Sequence, residues 1–288
     1  MSAALDEVLD LLDLEAIEVN LFRGRSPETR TQRVFGGQVI GQALVAAYRT
    51  VEDRICHSMH AYFLRPGDPK APILYEVDRS RDGGSFTTRR VVAIQHGRPI
   101  FHLAASFQIY EEGLEHQIDM DDVPSPESLK NDQQLMESIA DKLPKEMQAF
   151  VLGDRPIERR PVKPQRFFKP EKIEPYQDIW IKANGTLPDD VPLHQCVLAY
   201  ASDMTLHDTS TLPHGINPWQ EEVQMASLDH SMWFHRPFKA DDYLLYAHDS
   251  PSCQNARGFS RGSIYTRDGS LVCSVAQEGL LRLRDKKS

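Results

Sequence analysis

The chain has 288 residues, 40% of them hydrophobic and 26% charged, with 33 lysines and arginines against 42 aspartates and glutamates. That length suits two domains of ordinary size, and a net charge of −9 excludes a general nucleic-acid binder, which needs a broad basic surface. No apolar run reaches the roughly 18 residues a membrane span needs. Residues Met1 to Glu7 lack the basic and apolar stretches of a secretory signal. Cys56, Cys196, Cys253 and Cys273 stand far apart with no Cys-x-x-Cys pair. That argues against a zinc cage or a disulfide framework and makes a reducing cytoplasm the expected compartment.

In chain order, the first predicted element is a helix whose apolar face runs through Val39, Ala43, Ala46 and Ala47 toward Thr50. Strands follow, beginning near His57 and passing through Phe63-Leu64-Arg65-Pro66. Val91 to Ile94 then turns at Gln95 to Pro99 into Ile100 to Ile109, a hairpin signal with glycine in the turn. From Glu111 to about Asp154 the chain is acidic and proline-interrupted, with weak helical periodicity over Leu135 to Phe150. This segment reads as a linker bearing a short helix. A second helix is predicted where Leu193, Cys196, Val197, Tyr200 and Met204 fall at helical spacing. After it, Thr211 to Trp219 reads as a loop. The strand Ser227 to Phe234 follows, then a hairpin joining Ser263–Thr266 to Leu271 through Arg267-Asp268-Gly269.

The chain repeats itself. Phe63-Leu64-Arg65-Pro66 matches Phe234-His235-Arg236-Pro237, Leu74-Tyr75 matches Leu245-Tyr246, and Asp78 matches Asp249, all at one offset of 171 positions (65 to 236, 75 to 246, 78 to 249). Aligning Tyr48 with Tyr200 on the two helices leaves a longer stretch before the first long strand in the second half, so that half carries an insertion. Each half therefore reads as a helix laid on antiparallel strands, an α+β arrangement. The expected division is 1–112, a linker over 113–154, and 155–288.

Several motifs compete for the chemistry. Gly258-Phe259-Ser260-Arg261-Gly262 fits the Gly-x-Ser-x-Gly nucleophile elbow, but strand-like residues follow the serine and no histidine occurs after His248. The match is discarded. The pairs His57 with His60 and His230 with His235 lack a helical Glu partner, so no metal is expected. His230 shares a strand face with Leu228, Met232 and Phe234 and reads as a hydrogen-bonded core residue. Asp203 borders the apolar stripe of the second helix, Ser227 opens a strand, and Gln277 shares an apolar strand face with Cys273 and Val275. A buried amide wants a partner, because leaving it unpaired costs about 1–3 kcal/mol. Spacing alone does not bring these three together.

The segment Leu228 to Pro237, with Ser202-Asp203 before it and Ala256-Arg257-Gly258 and Gln277-Glu278-Gly279 after it, resembles the acyl-CoA thioesterase II family. Phe35-Gly36-Gly37-Gln38, His57 to Asp68 and Ala105-Ser106-Phe107-Gln108 are similar to the same family, so the likeness spans about Phe35 to Arg282. The resemblance implies a double hot-dog fold, two tandem repeats each packing a long helix on an antiparallel sheet. It also implies hydrolysis of fatty acyl-CoA to free acid and CoA without a cofactor, by a homo-oligomer, a dimer or tetramer. The family's catalytic aspartate, hydroxyl residue and glutamine fall on Asp203, Ser227 and Gln277. Its bacterial members commonly carry threonine at the middle position, and serine keeps the hydroxyl.

On that reading Asp203 deprotonates a water that attacks the thioester carbon, and Ser227 and Gln277 hold the water and the carboxylate. Backbone N–H groups at Gly36, Gly37 and Gln38, at a helix start, are expected to receive the carbonyl oxygen. Arg89, Arg90, Arg257 and Arg261 are the expected partners of the CoA phosphates, and the acyl chain is expected in an apolar tunnel between helix and sheet. Two alternatives remain: a hot-dog enoyl-CoA hydratase or dehydratase using Asp203 with His207, four residues on, and a non-catalytic acyl-CoA-binding protein.

Overall fold

A helix with an apolar surface and a set of alternating strands bury each other most fully as two layers, and a duplicated chain does so twice. The computed structural model describes residues 2–27, 32–143, 148, 152–165, 168–217 and 223–284. It begins with helix α1 (Ala3–Leu12) and a short hairpin, β1 (Glu15–Glu18) and β2 (Leu21–Gly24). The first copy follows as α2 (Gly36–Tyr48), β3 (Ile55–Phe63), β4 (Ile73–Asp82), β5 (Phe86–Gln95) and β6 (Arg98–Gln108). A short helix α3 (Asp132–Glu137) leads to β7 (Ile157–Pro161) and β8 (Tyr176–Ala183). The second copy comprises α4 (Val191–Ser202), β9 (Val223–Ser227), β10 (Asp229–Phe234), β11 (Leu244–Gln254), β12 (Arg257–Thr266) and β13 (Leu271–Leu283).

All these strands join one antiparallel sheet in the order β1-β2-β4-β5-β6-β3-β10-β13-β12-β11-β8-β7, with β9 paired to β13. The two copies meet at β3 and β10. There His60 and Ser231, the residues that the repeat aligns, are direct register partners, and His60 Nδ1 lies 3.0 Å from Ser231 Oγ. An antiparallel pair in which equivalent residues face one another contains the local two-fold axis, so the repeat is a structural symmetry and not only a sequence one.

Helices α2 and α4 lie together on one face of this sheet. Nearly every residue of α2 from Gly37 to Ala47 is buried, as expected of a helix covered on all sides. Ile40, Leu44, Val197 and Leu198 are at most 1% exposed, and each fully buried leucine or isoleucine contributes about 1.5–3 kcal/mol. Gly37 and Gly41, four apart and so on one helix face, let the two helices approach: a Cβ on Gly41 would stand 3.3 Å from Cys196 O, and one on Gly37 would run into Tyr200 O. The predicted hairpins form. The β5–β6 turn uses His96 and Gly97 at φ 49° and 71°, the pair of positive values that a two-residue hairpin turn requires.

Two expectations change. Within the range expected to be helical, Leu135 to Phe150, the described residues show the end of α3, started by an Asn131 cap that accepts from Gln134 N–H at 2.8 Å, and a 3-10 turn, Ala140–Lys142; residues 144–147 and 149–150 lie outside the described residues. The expected loop from Thr211 is the end of a 3-10 segment, His207–His214. Its hydroxyls bond back to the carbonyls three residues earlier, Ser210 to His207 at 2.8 Å and Thr211 to Asp208 at 2.7 Å, and Gly215 at φ 61° ends it. Pro218 and Trp219 lie outside the described residues. The segment after β6 packs on the second copy, with Trp180 Nε1 donating to Pro124 O at 2.9 Å and Leu271 N–H donating to Gln117 Oε1 at 2.9 Å.

Candidate active site

Helix α4 ends at Ser202, and Asp203 is its C-cap, in helical backbone geometry with its side chain turned inward and 4% exposed. Two side chains from distant strands reach it. Gln277, from β13, donates Nε2–H to Asp203 Oδ1 at 2.6 Å, and Ser227, the last residue of β9, donates Oγ–H to the same oxygen at 3.1 Å. The three polar residues that spacing could not connect therefore share one oxygen. They converge because β9 and β12 flank β13, with Ser227 opposite Gly279 and Ser260 opposite Gln277.

The N-terminus of α2 completes the carboxylate's surroundings. Its N-cap, Phe35, offers no side-chain hydrogen bond, and the Gly37 N–H donates to Asp203 instead. Asp203 thus caps a helix other than its own, which puts its charge at the favourable end of that helix dipole. Gly36 packs against the other oxygen: a Cβ there would lie 2.5 Å from Oδ2. Burial raises the Asp203 carboxyl from its ordinary value to about 6, and the hydrogen bonds from Gln277, Ser227 and Gly37 pull it down against that.

This corrects two expectations about the helix start. Gly37 N–H is engaged by Asp203, so it is not the free donor that a carbonyl oxygen would need. Gln38 is buried away from the site, its Nε2 donating to Arg25 O at 3.1 Å and to Ser26 Oγ at 3.0 Å. Of these three residues only Gly36 borders the cleft described next.

A cleft of about 600 Å3 opens beside Asp203 and Ser227. Its walls are largely apolar, including Phe35, Val39, Phe63, Phe101 and Leu228. Gln277 is fully buried behind the carboxylate and does not border the cleft. His207 does border it, but its Nε2 lies 3.0 Å from Leu280 O and its ring packs on Gly279. It is not hydrogen-bonded to Asp203, whose oxygen is taken by Ser227 and Gln277. His230 is fully buried, with Nε2 2.8 Å from Ser202 Oγ, and burial pushes it down to about 3, which keeps it neutral. It is the hydrogen-bonded core residue that its strand face suggested. Asp208, beside the cleft, is pushed up to about 7 by burial.

None of the four expected phosphate-binding arginines borders the cleft. Arg89 is 1% exposed and spends its donors on Thr50 Oγ1 at 2.8 Å, Thr50 O at 2.9 Å and Asp82 at 2.5 Å. Adjacent residues on a strand point to opposite faces, so Arg90 is exposed on the sheet's outer surface. Arg257 and Arg261 lie on the outer surface of the second copy, paired with Glu278 at 2.8 Å and with Asp249, respectively. Among the described residues, the arginines that do border the cleft are Arg33 and Arg65, both exposed. The sequence had signalled Arg65 only as part of the repeated Phe63 to Pro66 motif, and nothing marked Arg33.

Known proteins share this chain's sequence and shape. Residues 25–108 match a family model described as acyl-CoA thioesterase N-terminal domain, and residues 147–280 match one described as acyl-CoA thioesterase. The chain is 42% identical over 291 residues to acyl-coenzyme A thioesterase 8 of Homo sapiens, covering 98% of this chain and 90% of that protein. It is 41% identical over 286 residues to acyl-CoA thioesterase 2 of Haemophilus influenzae, covering 99% and 100% of the two chains. Among solved structures, an acyl-CoA thioesterase II, TesB2, from Mycobacterium marinum aligns with a TM-score of 0.79 at 42% identity, over 96% of this chain and 99% of that one.

Proposed function

The chain belongs to the acyl-CoA thioesterase family, and from that premise we propose that it hydrolyses fatty acyl-CoA by activating water on Asp203. The observation that carries this reading is the buried carboxylate bordering an apolar cleft, with two side-chain donors fixed on Oδ1. At pH 7 a carboxyl near 6 is about nine-tenths ionised, yet far more basic than a solvent-exposed aspartate. A base matched to the working pH is worth about 10²–10⁴-fold.

Oδ1 is occupied by Ser227 and Gln277, which leaves Oδ2, over Gly36, to take a proton from water in the cleft. The oxygen of that water bonds to the thioester carbon, the C–S bond breaks, and the proton on Asp203 passes to the departing sulfur. The products are a carboxylic acid and CoA thiol, and Asp203 returns to its ionised form. Gln277 sits behind the carboxylate and orients it, whereas Ser227 touches both Asp203 and the cleft. The apolar walls suit an acyl chain, and Arg33 and Arg65 suit the phosphates of CoA at the rim. No cofactor enters this scheme; the CoA belongs to the substrate. The same reading extends to a cytoplasmic homo-oligomer.

A hydratase would require a histidine working with Asp203, and the hydrogen bonding of His207 to Leu280 O argues against that pairing. The test offers the purified protein medium- and long-chain acyl-CoA and crotonyl-CoA, following thiol release and hydration separately. Thiol release without hydration is expected. Hydration without thiol release would replace the reading with the hydratase, and binding without turnover would replace it with an acyl-CoA-binding protein.

A further inference from the structure

The serine of the discarded Gly-x-Ser-x-Gly motif lies directly beside the proposed catalytic apparatus. Ser260 and Gln277 are register partners on β12 and β13, so their side chains share the face that α4 covers. Both are fully buried. The flanking glycines serve packing: a Cβ on Gly258 would run into Ser210, and one on Gly262 into Tyr246. One register step along from Ser260, His248 stands opposite Gly262, 3% exposed, with its ring against Tyr246.

These three side chains carry a shared deficit. Gln277 Oε1, Ser260 Oγ and both ring nitrogens of His248 are buried without a hydrogen-bond partner. Gln277 already spends Nε2 on Asp203, so Oε1 is the end of the amide left over. An amide held at one end only can rotate, and rotation would set Oε1 against Asp203 Oδ1, acceptor against acceptor. Something has to donate to Oε1 if the amino group is to stay on Asp203. Buried polar atoms grouped in this way are where ordered solvent is held, since a buried water needs two to four polar partners.

We propose that Ser260 and His248 hold one solvent molecule against Gln277 Oε1, and that this layer fixes the amide with its NH2 group on Asp203. The solvent oxygen accepts from the Ser260 hydroxyl. Its two hydrogens go to Gln277 Oε1 and to the unprotonated nitrogen of His248, whose burial keeps it neutral. Ser260 and His248 are then positioning residues, acting on Asp203 through Gln277. The inference rests on the proposed role of Asp203.

Its signature is in the pH profile. The Gln277 hydrogen bond holds the Asp203 carboxyl lower than burial alone would. The other groups facing Asp203 are Ser227 from β9, Gly37 from α2, His230 from β10, Tyr246 from β11, and His207 and Asp208 from the 3-10 segment. A Ser260 substitution leaves all of them in place. Loss of the fixed amide should therefore raise the Asp203 carboxyl and move the acidic limb of activity to higher pH.

The experiment compares wild type, Ser260→Ala and Ser260→Thr for kcat, KM and pH profile of thiol release. A wild-type limb that depends on Asp203 tests the underlying reading, and the Ser260 comparison is made against that baseline. Ser260→Ala is expected to lower kcat about three- to tenfold, the scale of one lost hydrogen bond, to leave KM within about twofold, and to shift the limb up by about half a pH unit or more. Ser260→Thr, which keeps the hydroxyl, is expected to restore the wild-type limb. A crystal structure should show a water within hydrogen-bonding distance of Ser260 Oγ and Gln277 Oε1. An unmoved limb in Ser260→Ala, whatever happens to kcat, or a dry site in that crystal structure, would overturn the proposal.

Discussion

At the end of α4, three residues after Tyr200, the chain places Asp203; at the end of α2, three residues after Tyr48, it places Val51. The two ends are related by the internal symmetry, although α4 runs two residues further past its tyrosine than α2 does. Ser202 and Thr50 occupy the same position, each bonding the carbonyl three residues back, at 2.9 Å and 2.8 Å. Behind them the copies diverge. Gln277 faces Ser260 across β13 and β12, whereas Ala105 faces Arg89 across β6 and β5. The second copy has an inserted segment that supplies β9 and Ser227, and among the described residues the first has no equivalent strand. A hollow of about 690 Å3 persists at the first end, lined by Tyr48, Val51, Pro188 and Leu193 among others. The fold thus makes a cavity at both ends, and the side chains decide which one holds a buried base. In the first copy, Arg89 bonds Thr50 and Asp82 and acts as a structural tie.

The comparison breaks most sharply at the carboxylate. Asp203→Asn keeps the shape but removes the base, and kcat for thiol release is expected to fall at least about a hundredfold. Val51→Asn, the same residue placed at the mirror position, should leave kcat within about twofold. Equal losses from the two would mean that both ends contribute to turnover. A smaller effect is expected at Gly36, where an added methyl meets Asp203 Oδ2. Gly36→Ala should lower kcat about tenfold or more, because small misplacements of reacting groups are costly; unchanged kcat would show that Oδ2 does not face the reaction. Arg89→Met should leave kcat within about twofold and cost about 2–4 kcal/mol in denaturant unfolding, since the carbonyls and hydroxyl it serves lose their donor. A large rise in KM for acyl-CoA in that variant would restore Arg89 to the substrate site.

How much of this could be read from the residues follows the physics of each feature. The repeat, both long helices and the hairpins were readable because apolar periodicity and turn chemistry are local. Asp203, Ser227 and Gln277 were singled out by their polar character on apolar faces, but only the family resemblance joined them, since contacts across 74 positions leave no trace in spacing. Arg89 and Arg90 illustrate the opposite failure. Adjacent strand residues must face opposite ways, yet nothing in the sequence says which one is buried. The helix start at Gly36-Gly37 is legible as a set of donors, but nothing local says that the group lying against it is the Asp203 carboxylate rather than a substrate oxygen. The place of Arg33 at the cleft rim depends on tertiary packing alone.

Asp203 as the essential base is tested by the pH dependence of kcat/KM, which reports the ionisation of the free enzyme's base. Asp203 must be ionised to accept a proton, so activity should rise with pH and reach half its plateau at about 6. The profile should be measured alongside Asp208→Asn, because that neighbour is itself raised to about 7. A limb near 6 should survive Asp208→Asn and disappear in Asp203→Asn. A limb that persists without Asp203, or a flat profile between pH 5 and 8 in the wild type, would contradict Asp203 as the base.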